Sequence, residues 1–334
     1  MRTWGVSPTL LALRSASWVL WPLSWRSTIT LGRLLGRFIY TCLPIRLKVM
    51  RRNLCCVAGA LLTHDGLQAP NAIHALERDV YEHAGVSLMM ALQSPRHRRR
   101  AADEVQSSGE STAALAADCE AGGVLICSAH VGAWELLPEL LARHVSDRAR
   151  KHGVLVYRPL HDAPLDRWVC ERRTAAAQMA MLPSTDTGCM SVLRGALQQG
   201  GAVGLLADQR PADGHAAVEA TFFGQPTCFS PGLAALHEAT GAPIWFAVLL
   251  LIDGAAQSDP ASSSLRLHLE RLAPRAAPHA DAGGCRPCVV QAYADALSSV
   301  VSSAPAQYFW FHDRWRPRMQ PRAAAAGFVP PIGP

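Results

Sequence analysis

Six consecutive residues, His130-Val131-Gly132-Ala133-Trp134-Glu135, hold an imidazole and a carboxylate five positions apart across a glycine. A carboxylate against one imidazole nitrogen fixes the tautomer and raises the basicity of the other. That is the equipment for taking a proton from an alcohol. Two residues five apart on a continuous helix diverge by about 140°, so a helix would separate the two groups. A strand–turn–helix junction can bring them together. The plain alternative is a packed histidine and a solvated glutamate, and spacing by itself leaves both open.

The neighbouring residues supply such a junction. Residues 123–129 (GVLICSA) form a short apolar run after a Gly-Gly turn, which predicts a buried strand. Gly132 permits a tight turn, and Trp134, Leu136, Leu137 and Leu140 begin an apolar helix. His130 then stands at the carboxyl edge of a sheet, where open α/β folds place their ligands. Further strands are predicted at 153–157, 202–207 and 244–252, and at 264–272, where Leu265, Leu267 and Leu269 alternate with Arg266, His268 and Glu270. Helices are predicted at 71–93, at 190–199 closed by Gly200-Gly201, at 230–240 with Ser230 as N-cap, Pro231 at N1 and Gly241 at C′, and at 289–303. Residues 273–288 read as a linker and 321–334 as a loose tail. Alternating strands and helices predict an α/β fold with a layered central sheet.

Composition excludes several classes. The chain has 334 residues, of which 17% are charged, with mean hydropathy +0.09. That balance excludes a disordered chain and lies too low for a polytopic transporter. The only two lysines, Lys48 and Lys151, do not follow a glycine, so a P-loop is excluded. There is no G-x-G-x-x-G opening a helix and no G-x-S-x-G, and His237-Glu238 lacks the second histidine of a zincin. Cys285 and Cys288 have half of a zinc-knuckle spacing without the other half, so no metal is expected and the ten cysteines read as mostly reduced. The run Arg96-His97-Arg98-Arg99-Arg100 reads either as a solvated loop or as a patch for anionic headgroups or an acidic carrier protein.

Net charge is +6, yet the first acid is Asp65. Nine cations precede it, leaving 23 cations against 26 acids in the remainder. Trp4, Trp18, Trp21 and Trp25 lie in the same stretch. Apolar residues, interfacial Trp and unopposed Arg predict an amphipathic helix at an anionic membrane surface, with the body on the cytoplasmic side. Arg14 interrupts the apolar run and no clean cleavage site follows, which favours a retained anchor over a signal peptide. Whether it spans or lies on the bilayer stays open. A nucleic-acid arm is disfavoured by the many Leu and Trp between the cations. These readings divide the chain into an anchor at 1–53, a body at 54–320 and a tail at 321–334.

Several blocks, in order, carry a resemblance. HVGAWE resembles an H-x4-[DE] acyltransferase signature, and more narrowly the H-x-G-N-W-E form of the bacterial lipid A late acyltransferases. Residues 33–53 (ending RRN), Tyr157-Arg158-Pro159, the 204–209 segment GLLADQ, Phe222-Phe223-Gly224-Gln225-Pro226 and Gln307-Tyr308-Phe309-Trp310 resemble further blocks of that family. Ala133 stands where the family usually carries Asn. The resemblance runs from about residue 30 to 318. It implies a glycerolipid acyltransferase-like fold, a mixed sheet flanked by helices.

It also implies roles. His130 would be the general base that deprotonates a hydroxyl of a lipid A precursor, and Glu135 would orient it. The hydroxyl would attack the thioester of an acyl chain on acyl carrier protein or coenzyme A. Arg158 and backbone N–H groups near Gly132 would face the oxyanion, Arg158 alternatively a phosphate of the acceptor. Asp208 would pair with Arg158, or be a structural salt bridge. Trp134, Phe222, Phe223 and Gly224 would lie by the acyl channel, or pack in the core. No metal or organic cofactor is implied, since the thioester is a co-substrate. The implied setting is the bacterial inner membrane and lipopolysaccharide synthesis. Two alternatives stay beside this reading: the same transfer to another glycolipid or phospholipid, and a non-catalytic lipid-binding protein.

Overall fold

A computed structural model describes residues 7–62, 70–93, 98, 101–103, 105–252, 264–274 and 285–316. Four helices come first: α1 (Pro8–Leu20), α2 (Trp25–Cys42), α3 (Leu47–Leu62) and α4 (Pro70–Leu92). Then follow α5 (Gly109–Ala121), β1 (Val124–Ser128), α6 (Leu137–Leu141), α7 (Asp147–Lys151), β2 (Val154–Tyr157), α8 (Ala163–Ala177), β3 (Ala180–Pro183), α9 (Cys189–Gln198) and β4 (Ala202–Leu206). A hairpin of β5 (Val218–Phe222) and β6 (Gln225–Phe229) precedes α10 (Gly232–Thr240), β7 (Ile244–Ile252), β8 (Ser264–Leu272) and α11 (Arg286–Ser303).

The main sheet has the order β3-β2-β4-β1-β7-β8. Its first five strands are parallel, and β8 runs antiparallel at one edge, so the sheet is mixed as expected. β1 lies between β4 and β7 and is buried along its whole length. Its alternate residues feed two cores: Leu125 and Cys127 face one, Val124 and Ile126 the other. β8 keeps the alternation read from its sequence, with Leu267 opposite Leu249 of β7.

Some local readings shift. The helix after the glycine turn is short, Leu137–Leu141, because Val131 and Gly132 are first held in isolated bridges to Tyr308 and Leu249. The helix expected at 230–240 starts at Gly232 with Pro231 as N-cap, although Gly241 does close it in the left-handed conformation. The last helix begins at Arg286, inside the expected linker, and Cys285 and Cys288 are joined in a disulfide across its first turn rather than reduced. Its N-cap is Cys285, whose sulfur accepts from the Cys288 N–H. Residues 275–284 of that linker and the tail 321–334 lie outside the described residues.

At the amino end, α2 lies directly on α4. Gly32 and Gly36, four apart on α2, meet Gly85 and the Tyr81 carbonyl, and a Cβ at Gly36 would strike that carbonyl oxygen. Three of the cations that look unopposed in the sequence have acid partners in space: Arg37 with Glu82 at 2.6 Å, Arg51 with Glu77 at 2.7 Å, and Arg52 with Asp313. α3 runs without a break through residue 53, and the buried Asn53 side chain donates to the carbonyls of Trp310 and His312. On the other side of these helices Leu11, Trp18, Val19, Trp21, Leu34 and Phe38 are exposed. Among the described residues no helix is long and apolar enough to cross a membrane.

Candidate functional site

Strand order brings the site together. β1 ends at Ser128, β4 at Leu206 and β2 at Tyr157, all parallel, so His130, Asp208 and Arg158 leave the same carboxyl edge within two residues of their strands. β1 and β4 are neighbours. His130 Nδ1 and Asp208 Oδ1 therefore meet at 2.8 Å. The Asp208 side chain is 3% exposed, that of His130 20%. A carboxylate only accepts, so the contact puts the imidazole proton on Nδ1 and leaves Nε2 as the basic nitrogen.

The electrostatics agree with the geometry. Burial pushes the His130 pKa down, but the Asp208 charge and hydrogen bond, with Glu135 behind them, outweigh it, and the pKa is raised; Arg173 opposes. Burial pushes Asp208 up, but His130 and the nearby Arg314 hold it below the ordinary carboxylate range.

Glu135 is elsewhere than the spacing suggested. It accepts from Arg173 of α8, Nε to Oε2 at 3.1 Å and Nη2 to Oε1, so the direct partner of His130 is Asp208 and not Glu135. Burial raises the Glu135 pKa and the Arg173 charge more than reverses this, leaving it lowered. The reason is the turn after Gly132, which delivers the side chain to a helix facing the sheet rather than back to β1. Arg98 is also part of this cluster. It is buried and donates to Glu139 at 3.2 Å and to the Glu135 carbonyl at 2.7 Å. It is thereby removed from any headgroup patch; the other members of that cationic run lie outside the described residues.

Gly132 has φ 61, and a Cβ there would strike the Leu249 carbonyl oxygen, so glycine is required for close approach as well as for the turn. Its N–H is already engaged with the Gln307 carbonyl at 2.9 Å, and those of Val131 and Ala133 with Ala129 and Leu249. These three N–H groups are therefore not available to an oxyanion, contrary to the sequence expectation. Arg158 stands exposed one residue beyond β2, and Asp208 does not pair with it.

The aromatic candidates divide. The Trp134 ring lies 5.5 Å from that of His130 and 6.1 Å from that of Phe309, so it belongs to the site. Phe222 is fully buried against Phe229, Tyr308 and Trp315, and Phe223 packs on Phe222 and Trp310. Phe223 and Gly224 form the β5–β6 turn, both with positive φ. These three are core and turn. Cavities of about 340 and 540 Å³ lie away from His130, the first at the opposite sheet edge by Gly123 and Gly241, the second between α8 and β3 by Tyr157 and Cys170. The mutual geometry of the side chains, rather than cavity size, marks the site.

Sequence reasoning missed Arg173 and Arg314. Arg314 donates from Nη1 to the Asp208 carbonyl at 2.9 Å. Arg173 sits in a helix whose start, Asp162 followed by Pro164, was a readable cap signal. The place of Arg314 carried no local signal.

A family model described as bacterial lipid A biosynthesis acyltransferase matches residues 1–317. No curated protein matches the chain.

Proposed function

We propose, for a chain that belongs to the bacterial lipid A biosynthesis acyltransferase family, that His130 is the general base of acyl transfer and that Asp208 is the carboxylate that orients it. As a family member the chain is an acyltransferase with an acyl donor and a lipid acceptor. The observation that carries the finer reading is the 2.8 Å contact between His130 Nδ1 and Asp208 Oδ1 at the carboxyl edge of adjacent parallel strands.

In the reaction the acceptor hydroxyl gives its proton to His130 Nε2 as its oxygen attacks the thioester carbonyl. The new C–O bond forms, and the carbonyl oxygen takes the negative charge. Arg158, exposed at the same edge, suits that oxyanion or a phosphate of the acceptor. Collapse of the tetrahedral intermediate breaks the C–S bond, and the departing thiolate takes the proton back from His130. Asp208 stays ionised and offsets the imidazolium that forms in between. Glu135 acts one step further out: it neutralises Arg173, which would otherwise disfavour the charged imidazole. The thioester supplies the driving force, and the reading calls for no cofactor.

The donor is acyl carrier protein or coenzyme A, and the acceptor a lipid A precursor. The exposed Trp18 of α1, Trp21 just past its end, and Leu34 and Phe38 of α2 support contact with the cytoplasmic face of the inner membrane. The exposed faces of α1 and α2 are then the membrane-facing part, and the sheet beyond them the acyltransferase body. The test is mass spectrometry of total lipids from cells with wild-type protein, H130A or D208N. The expected result is one acyl increment on lipid A in wild type only. An increment that persists in H130A overturns the base assignment, and an increment on a different lipid overturns the acceptor.

A further inference from the structure

We propose that Arg314 is a positioning residue that keeps Asp208 ionised while His130 is neutral, the state in which the imidazole can accept a proton; this rests on the base assignment above. Arg314 is 1% exposed. Among the described residues its Nε and Nη2 have no hydrogen-bond partner, and only Nη1 donates, to the Asp208 carbonyl. Its guanidinium carbon lies 3.7 Å from the centroid of the Phe229 ring and 5.7 Å from that of Phe222. A cation in this position is stabilised by aromatic faces and by the Asp208 charge, with no direct carboxylate contact. Burial pushes its pKa down, but an arginine starts so high that it stays charged.

The other groups around Asp208 cannot do this work. Burial and the Asp208 charge hold Tyr293 and Tyr308 neutral well past physiological pH. His312 accepts from the Arg210 N–H at Nε2, and burial and then Arg314 hold its pKa down to about 4, so it too is neutral. Among the described residues, the cations that act on the Asp208 charge are His130, when protonated, and Arg314; Arg210, two residues on, is held in its own ion pair with Asp213 at 2.7 Å. Glu135 and Arg173 face His130 from the other side and offset each other. In the resting base His130 is neutral, and burial favours moving a proton onto Asp208. Arg314 is the fixed charge that opposes this. Loss of that charge raises the last proton-loss midpoint of the His130–Asp208 pair.

The segment that carries Arg314 also holds the other half of the pair. The Phe309 N–H donates to the His130 carbonyl at 2.9 Å, and Tyr308 bridges Val131. Arg314 itself is anchored by the Thr227 hydroxyl, which donates to its carbonyl at 3.2 Å.

The test is an NMR titration of isotope-labelled histidine in detergent-solubilised full-length protein, with H130A assigning the signal. Arg314→Gln and Arg314→Lys are compared with wild type, so that charge is the variable. The expected result is a midpoint moved to higher pH in R314Q and left near the wild-type value in R314K. Acyl transfer to a lipid A precursor should fall roughly tenfold to a hundredfold in kcat in R314Q, with KM little changed, and be partly rescued in R314K. A purely structural arginine would lower the melting temperature of both variants without separating their midpoints. Equal midpoints in R314Q and R314K overturn the proposal, as does failure of R314K to fold. The titration reads the imidazole itself, so it stands apart from the assignment of the base, which H130A activity tests.

Discussion

Asp208→Asn is the most discriminating single change. It keeps the volume of the side chain and removes its charge at a position 2.8 Å from His130 Nδ1. Two unit charges about 4 Å apart attract by about 4 kcal/mol at an effective dielectric of about 20. That attraction is present when His130 holds the substrate proton and absent when the imidazole is neutral, so it acts on the transition state. Burial of both groups takes back part of it and leaves about 3 kcal/mol, or about a hundredfold in rate. The amide can also turn its NH2 toward Nδ1, which moves the imidazole proton to Nε2 and blocks the base. Together these give an expected loss of about 10²–10⁴ in kcat/KM. The assay is initial-rate acyl transfer from an acyl thioester to a lipid A precursor, with circular dichroism to show that the variant is folded. A folded D208N that keeps activity within about tenfold of wild type would refute the pairing as the source of basicity.

Other outcomes follow from the same geometry. Glu135→Gln should lower activity and move the acidic limb of the rate profile to lower pH, because it removes a negative charge near His130 and frees Arg173; the displacement should be smaller than in D208N, measured as kcat/KM against pH. In the wild type that limb should lie above the ordinary histidine value of about 6.5, with activity rising as pH rises through it. Stability runs the opposite way. The raised His130 pKa adds stability that is present below about 6.5 and lost as pH climbs through the folded value, while the lowered Asp208 pKa adds stability present above about 3.9 and lost in acid, so D208N should lower the melting temperature more at pH 6 than at pH 9. Gly36→Ala should force α2 off α4 and cost about 1–3 kcal/mol, read by urea unfolding, because the new methyl meets the Tyr81 backbone and not a flexible side chain.

The strands that the sequence revealed, β2 among them, are continuous apolar runs or strict alternations. The apolar runs of β1, β4 and β7 and the Leu265-Leu267-Leu269 alternation of β8 are signals that tertiary context does not reverse. β3 spans only Ala180–Pro183, too short for a period, and α8 has a weak apolar stripe because it packs through Arg172 and Arg173 as much as through carbon. His130 was legible because one strand and one glycine decide where it goes. Its partner was not, because the adjacency of β4 to β1 is a property of strand order, and the chain visits β2 and β3 first. Glu135 was the nearest acid in sequence, and Asp208, 78 residues away, is the one in space. Arg314 was beyond reach for the same reason, since its contact with Asp208 joins two loops 106 residues apart in the chain.

The strap formed by residues 305–316 has a temporal consequence. His130 and Asp208 leave the ribosome well before the residues that hold them: Phe309 on the His130 carbonyl, Gln307 on Gly132 and Leu251, Arg314 on Asp208. A nascent chain that has made its whole sheet still lacks the covers that set the dyad. Assembly of the His130–Asp208 pair is thereby delayed until translation has passed residue 314, and a product stopped short of that point would carry both side chains without the contacts that hold them.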